Sequence, residues 1–266
     1  MKPAPRQAMV LAAGLGTRLR PLTHEIPKPA LPVGGVPILM FNLFLLKQAG
    51  IKDILINLHH RPDNLKTLLR HSHSLGLKIQ WSWEKSILGT AGGIAHALPK
   101  FRNSTLLILN GDVVTNVNIR KMWSRHHQKR AQATLAVIPP HYAPVKSYVE
   151  YESSGQIRAI AGRPSVSKLK KLNKGIFSGI QILERSMIDT FPKNKFGCII
   201  RQIYQPALAK DANLLAFPHQ GAWWDLGNLD SLKEMDLSLW QGNLPKDIHH
   251  TWKKVYAWSR PLFDNS

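Results

Sequence analysis

The run Leu11-Ala12-Ala13-Gly14-Leu15-Gly16-Thr17-Arg18-Leu19-Arg20-Pro21-Leu22-Thr23 sends an apolar segment straight into a turn with two glycines and an arginine. Glycine lets backbone N–H groups approach an anion closely, and a guanidinium beside them adds charge, so the pattern suits phosphate binding. The bare alternative is an ordinary strand-to-loop turn. Lys28 follows within Pro27-Lys28-Pro29. Proline at 27 fixes its own backbone, and proline at 29 steers Lys28 towards an extended conformation. Asp112 stands in Asn110-Gly111-Asp112 behind an apolar stretch, and Asp225 follows Trp223-Trp224. An aspartate after glycine is ordinarily a turn residue. A hard divalent cation, however, takes oxygen ligands and needs only one or two carboxylates.

These residues need elements to hold them. Ala8 to Ala13 reads as a short strand buried on both faces. Helical spacing follows over 38–50, 64–73, 91–98 and 119–130. Strands are expected over 53–58, 77–83, 105–109 and 133–138. This alternation predicts an α/β fold: a Rossmann-like, open, mostly parallel sheet flanked by helices, with ligands beyond the carboxyl ends of the strands. The second half reads as a smaller mixed β region. It has a hairpin over 148–161 about Ser153-Ser154-Gly155, a strand over 175–183, and helices over 186–191 and 199–210. A last hairpin is expected over 214–225, then a helix over 229–240. The division expected is 1–240 as one domain and 241–266 as a basic aromatic tail carrying Trp252, Tyr256, Trp258 and Phe263.

The 266 residues are enough for a substantial core. With 44% hydrophobic and 20% charged residues, the composition is globular. The single cysteine, Cys198, excludes a disulfide framework within one chain, and a reducing cytoplasm is the compartment expected. The apolar stretch after the basic N-terminus is too short for a signal-peptide core. The formal net charge of +20 favours a polyanionic partner such as nucleic acid, an anionic membrane surface or a phosphorylated substrate. A solvated basic surface is the plain alternative. No nucleic-acid-binding motif is visible. The twelve histidines include the adjacent pairs His59-His60, His126-His127 and His249-His250. Neighbouring side chains point to different faces, so these are expected at the surface or in loops, without a metal pattern.

The run from Leu11 to Val33 resembles the signature of the sugar-1-phosphate nucleotidyltransferases. Leu88-Gly89-Thr90-Ala91-Gly92-Gly93, Asn110-Gly111-Asp112, Phe177-Ser178-Gly179-Ile180 and Trp224-Asp225-Leu226-Gly227 extend the likeness over residues 8 to 240. The resemblance implies an enzyme that joins an NTP to a sugar 1-phosphate, giving an NDP-sugar and pyrophosphate for cell-wall or surface-polysaccharide precursors. It assigns Arg18 and Lys28 to catalysis, and Leu11, Ala13, Gly14, Gly16, Thr17, Glu84, Gly89 and Gly92 to the nucleotide. It pairs Asp112 with Asp225 as Mg²⁺ ligands. Glu84 would accept N–H groups from guanine, or the single N–H of uracil or thymine; a surface role is the alternative. Where many relatives carry Glu-Lys-Pro, this chain has Gly162-Arg163-Pro164, so Arg163 and Gly179 are expected at the sugar phosphate, without the customary glutamate. The Phe177-Ser178-Gly179-Ile180 segment and compact length lean towards relatives that act on N-acetylmuramate 1-phosphate, beside those that act on mannose 1-phosphate. The competing class is a non-catalytic basic protein that binds nucleotide or nucleic acid.

Overall fold

A computed structural model describes residues 5–142, 147–164 and 171–262. In chain order the elements are β1 (Gln7–Leu11), β2 (Pro32–Val33), β3 (Val36–Pro37), α1 (Ile38–Gln48), β4 (Asp53–Leu58), α2 (Pro62–Leu68) and β5 (Lys78–Trp83). Then come α3 (Gly89–Ala97), β6 (Thr105–Asn110), β7 (Val113–Thr115), α4 (Ile119–Gln128), β8 (Ala133–Ile138), β9 (Val149–Tyr151) and β10 (Ile157–Ile160). The last are β11 (Asn173–Glu184), α5 (Gln205–Leu208), β12 (Leu214–Pro218), β13 (Trp223–Asp225), α6 (Leu229–Gln241) and α7 (Lys246–Ser259). This is an α/β fold with a mostly parallel mixed sheet flanked by helices.

The chain divides into two compact units. One comprises residues 8–87, 109–116 and 222–266. In it β4 runs parallel to β5, from Asp53 opposite Lys78 to Leu58 opposite Trp83, and β1 borders β4. β13 pairs antiparallel with β7. Met9, Val10, Ile54, Leu55 and Ile56 are fully buried, as strands covered on both faces require. The tail belongs to this unit. Helix α7 buries Ile248, Trp252 and Val255; Trp252 donates its indole N–H to Gly34 O (2.9 Å), and Trp258 packs on Phe44 at 5.3 Å. Gly34 is obligatory there, because a Cβ on it would lie 2.5 Å from the Trp252 nitrogen. Phe263 lies outside the described residues.

The other unit comprises residues 1–7, 88–108 and 117–221. Its β8 pairs parallel with β12 and antiparallel with β11, which continues antiparallel to β9, and β9 to β10. The β9–β10 hairpin turns where expected, with Gly155 at φ +94° and its N–H on Glu152 O (2.8 Å).

Four expectations are corrected. The hairpin over 214–225 does not form: β12 adds to β8, which already pairs with β11, and so extends a larger sheet than a two-strand ribbon would be, whereas β13 pairs with β7 in a separate two-stranded sheet. The helix expected over 64–73 starts at Pro62, a residue suited to a first turn, and ends at Leu68 before a 3₁₀ turn at Ser72–Leu75. Lys28 is not extended. It opens a 3₁₀ turn, Lys28–Ala30, closed by Ala30 N–H on Pro27 O (2.8 Å) and Leu31 N–H on Lys28 O (3.1 Å). Pro29 fits that turn because its position needs no N–H. Finally, His126 is fully buried rather than at the surface. It shares one face of α4 with Ile119, Met122 and Trp123, the three-and-four spacing of a buried stripe.

Candidate functional site

β1 ends at Leu11, and the backbone then passes through Ala12 and Ala13, both buried, to an exposed loop over Gly14 to Arg18. Nothing lies within 4 Å of where a Cβ on Gly14 would stand, so this backbone faces open space. Gly16 is different. Its φ of +62° is left-handed, and a Cβ there would meet Thr23 Cγ2 at 2.8 Å and Lys28 Cβ at 3.2 Å. Thr23 fastens the loop by donating its hydroxyl to Gly16 O (2.8 Å). Gly16 thereby lets the loop fold back over the segment that carries Lys28. Thr17 and Arg18 open a 3₁₀ turn and are exposed.

Lys28 is only 8% exposed, and its Nζ donates to Asp112 Oδ2 at 2.5 Å. Asp112 is brought there by the preceding glycine. Gly111 N–H donates to Leu11 O (2.9 Å), and a Cβ on Gly111 would be 2.8 Å from that oxygen. Glycine is thus the residue that lets the end of β6 touch the end of β1. Asp112 O accepts the Leu226 N–H (3.0 Å), and Val113 pairs with Asp225 in the β7–β13 register. Both aspartates are held on adjoining backbone. Asn42 braces this region from α1, donating to Val113 O (3.1 Å).

Gly227 completes the arrangement. A Cβ on it would lie 2.7 Å from an Arg18 guanidinium nitrogen and 2.8 Å from Asp225 Oδ1. Arg18 and Asp225 therefore both border the space that a side chain at 227 would fill. Loss of hydration against the protein wall pushes the Asp225 carboxyl above its ordinary range, and the negative charge of Asp112 pushes the same way. Lys28, Arg18 and the Gly227 N–H pull it down, and do not win.

Glu84 is 1% exposed, which overturns its surface alternative. It accepts from Asn57 Nδ2 (2.6 Å), and Asn57 Oδ1 accepts the Ala12 N–H (2.6 Å). Asn57, 3% exposed, ties the glycine loop's first residues to Glu84. The sequence reading missed it. Its signal was present: one amide side chain inside Ile54-Leu55-Ile56-Asn57-Leu58, where a purely apolar strand needs none.

Leu11, Ala13, Gly14, Gly16, Thr17, Arg18, Lys28, Glu84, Asp112 and Asp225 belong to one unit; Gly89, Gly92, Arg163 and Gly179 belong to the other. In the latter, a Cβ on Gly89 would lie 2.6 Å from Gly197 O, and one on Gly92 2.1 Å from Lys195 O. Backbone crossing at that range by itself requires glycine at both positions. Arg163 is exposed on a tight turn in which Ile160 and Arg163 exchange backbone hydrogen bonds (2.9 and 3.2 Å). Gly179, at φ +87°, lies at the β11 irregularity between Phe177 and Gln181.

The model of the nucleotidyl transferase family matches residues 7–241. The mannose-1-phosphate guanylyltransferase of Mycobacterium tuberculosis is 29% identical over 239 residues, covering 90% of this chain and 66% of that protein. The UTP–glucose-1-phosphate uridylyltransferase of Synechocystis is 30% identical over 236 residues, 84% of this chain and 60% of its own length. The chain thus spans roughly three-fifths to two-thirds of these relatives. The crystal structure of HddC from Yersinia pseudotuberculosis superposes with a TM-score of 0.72 over 88% of this chain and 99% of its own, at 21% identity, so it shares the fold. No helix among the described residues is long and apolar enough to cross a membrane. With a match that runs through β1, the glycine loop, both aspartates and α6, the chain belongs to the nucleotidyl transferase family.

Proposed function

We propose that the chain transfers a nucleotidyl group from an NTP to a sugar 1-phosphate. The observation that carries this is the convergence of Arg18, Lys28, Asp112 and Asp225 beside an open glycine loop. A phosphate oxygen of the sugar 1-phosphate attacks the α-phosphorus, the bond from that phosphorus to the bridging oxygen breaks, and pyrophosphate leaves with the electron pair. No protein nucleophile is required, so positioning and charge neutralisation carry the rate. The loop N–H groups and Arg18 hold the triphosphate. The Asp112 ion pair keeps Lys28 in place until phosphate oxygens take up its donors at the α-phosphate.

The two carboxylates suit a hard cation. They are all-oxygen donors, and the proximity of two carboxylates is what a divalent ion relieves. Asp112 and Asp225 would hold Mg²⁺, which supplies charge neutralisation to the phosphates. Glu84, with Asn57, fixes the strand ends against which the base lies. Arg163 supplies the charge for the sugar phosphate.

The test is pyrophosphate release from the purified chain with each NTP against a panel of sugar 1-phosphates, with and without Mg²⁺. The activities named for the relatives put GTP and UTP first, with mannose and glucose 1-phosphates. Turnover with one pair, lost on chelation of Mg²⁺, is expected. No pyrophosphate from any pair overturns the reading.

A further inference from the structure

On the inner face of α4, away from the residues discussed above, two imidazoles and a carboxylate converge. His126 Nε2 lies 3.1 Å from Glu184 Oε1, and one ligand atom each from His126, His127 and Glu184 fall within 4.8 Å of one another. We infer that these three side chains form a binding site for a borderline-soft transition metal of the zinc class.

The donor set selects the metal. Two imidazole nitrogens and one carboxylate oxygen suit zinc, and suit magnesium or calcium poorly because those ions prefer oxygen throughout. A tetrahedral ion with ligands at about 2.0–2.1 Å sets them roughly 3.3 Å apart. The His126–Glu184 pair already stands near that spacing, and the half-buried His127 and Glu184 have only a short way to close.

The surroundings are those of an oriented ligand. His126 Nδ1 is bonded to Thr134 Oγ1 (2.9 Å), which fixes the ring so that Nε2 faces Glu184. Thr105 donates its hydroxyl to the same Glu184 oxygen (2.8 Å), fixing the carboxylate. Water is kept away: His126 is fully buried, His127 Nε2 is closed to solvent, and Trp123 packs against both rings, 4.7 Å from that of His127. Both histidines lie in the last turn of α4, where the helix presents its negative end and favours a cation. Two neighbouring arginines are engaged elsewhere. Arg125 donates to Ser154 O (3.1 Å), and Arg185 pairs with Asp189 (3.0 Å). The three ligands come from the last turn of α4 and the end of β11.

The test titrates Zn²⁺ into chelator-stripped protein in competition with a chromophoric chelator, and records the visible spectrum with Co²⁺ in place of Zn²⁺. The wild-type chain is expected to take up one equivalent, to show tetrahedral Co²⁺ bands, and to gain melting temperature with Zn²⁺. His127→Ala and Glu184→Gln, at half-buried positions, should each weaken binding roughly ten- to a hundred-fold. Exposed His73→Ala, next to His71, should leave it unchanged. Absence of stoichiometric binding, unchanged affinity in both site variants, or loss in His73→Ala overturns the inference. Should either site variant fail to fold, the Co²⁺ spectrum of the wild type decides alone: octahedral, weakly coloured Co²⁺ rejects the site.

Discussion

The unit built on β1 and the unit built on β8 hold their charged candidates in opposite ways. In the first, Lys28 is nearly buried, is paired with Asp112, and shares its surroundings with Arg18 and Asp225. Each group is there because backbone elsewhere makes room: Gly16, Gly111 and Gly227 all stand where a Cβ would collide. In the second, Arg163 stands exposed on a turn, and Gly89 and Gly92 are accounted for by the crossing backbone of residues 195–197. Lys28, nearly out of water, relies on Asp112 for the solvation it has lost, so this pair is intolerant of losing either member, with the exposed Arg18 and Asp225 at its edge. An exposed arginine relies on nothing but water and contributes only when a ligand arrives. The first unit should therefore carry the chemical step, and the second selectivity.

The sharpest way to break this comparison is at the carboxylates. Asp112→Asn and Asp225→Asn are each expected to lower turnover roughly 10²–10³-fold, the scale for loss of a preorganised electrostatic group. Both should retain the wild-type circular dichroism spectrum and need more Mg²⁺ for half-maximal rate. Wild-type turnover with an unshifted Mg²⁺ requirement in either variant would remove that aspartate from the site.

Asn57→Ala probes the same unit from within. It strands the buried Ala12 N–H, at a cost of about 1–3 kcal/mol, and takes one hydrogen bond from the Glu84 carboxylate. The melting temperature should drop, and the KM for NTP should rise more than that for sugar 1-phosphate. Asn57→Asp places two carboxylates together and should be worse, with recovery as the pH is lowered. An unchanged melting temperature and unchanged KM values would show that the loop is positioned without this side chain.

The other unit is tested at Arg163. Arg163→Ala should raise the KM for sugar 1-phosphate far more than that for NTP. A charge-assisted hydrogen bond contributes about 1.5–3 kcal/mol, equivalent to roughly ten- to a hundred-fold in kcat/KM. Arg163→Lys should recover part of the loss if charge alone matters, and little if the bond is bidentate. Equal effects on both substrates would move the role to Lys171 or Lys174, or to Lys168 or Lys170, which lie outside the described residues.

The periodic elements were legible in the sequence. β4 and β8 occupy the residues their apolar runs mark, and α6 closes where its spacing ends, because burial on a sheet or a helix face imposes a period that local composition displays. The glycine loop and both aspartates were legible through their motifs. Tertiary structure decided the rest. The partners of β12 and β13 follow from which strands had open edges, and residues far apart in the chain supply those edges. Lys28 opens a 3₁₀ turn although proline follows it, since the turn's own hydrogen bonds outweigh a local preference. His126 went inward with the apolar stripe of α4, and meets Glu184 across 58 residues. Sequence states which residue types a site has available. Only packing determines which of them lose water together, and that loss raises the Asp225 carboxyl and sets Asn57 against Glu84.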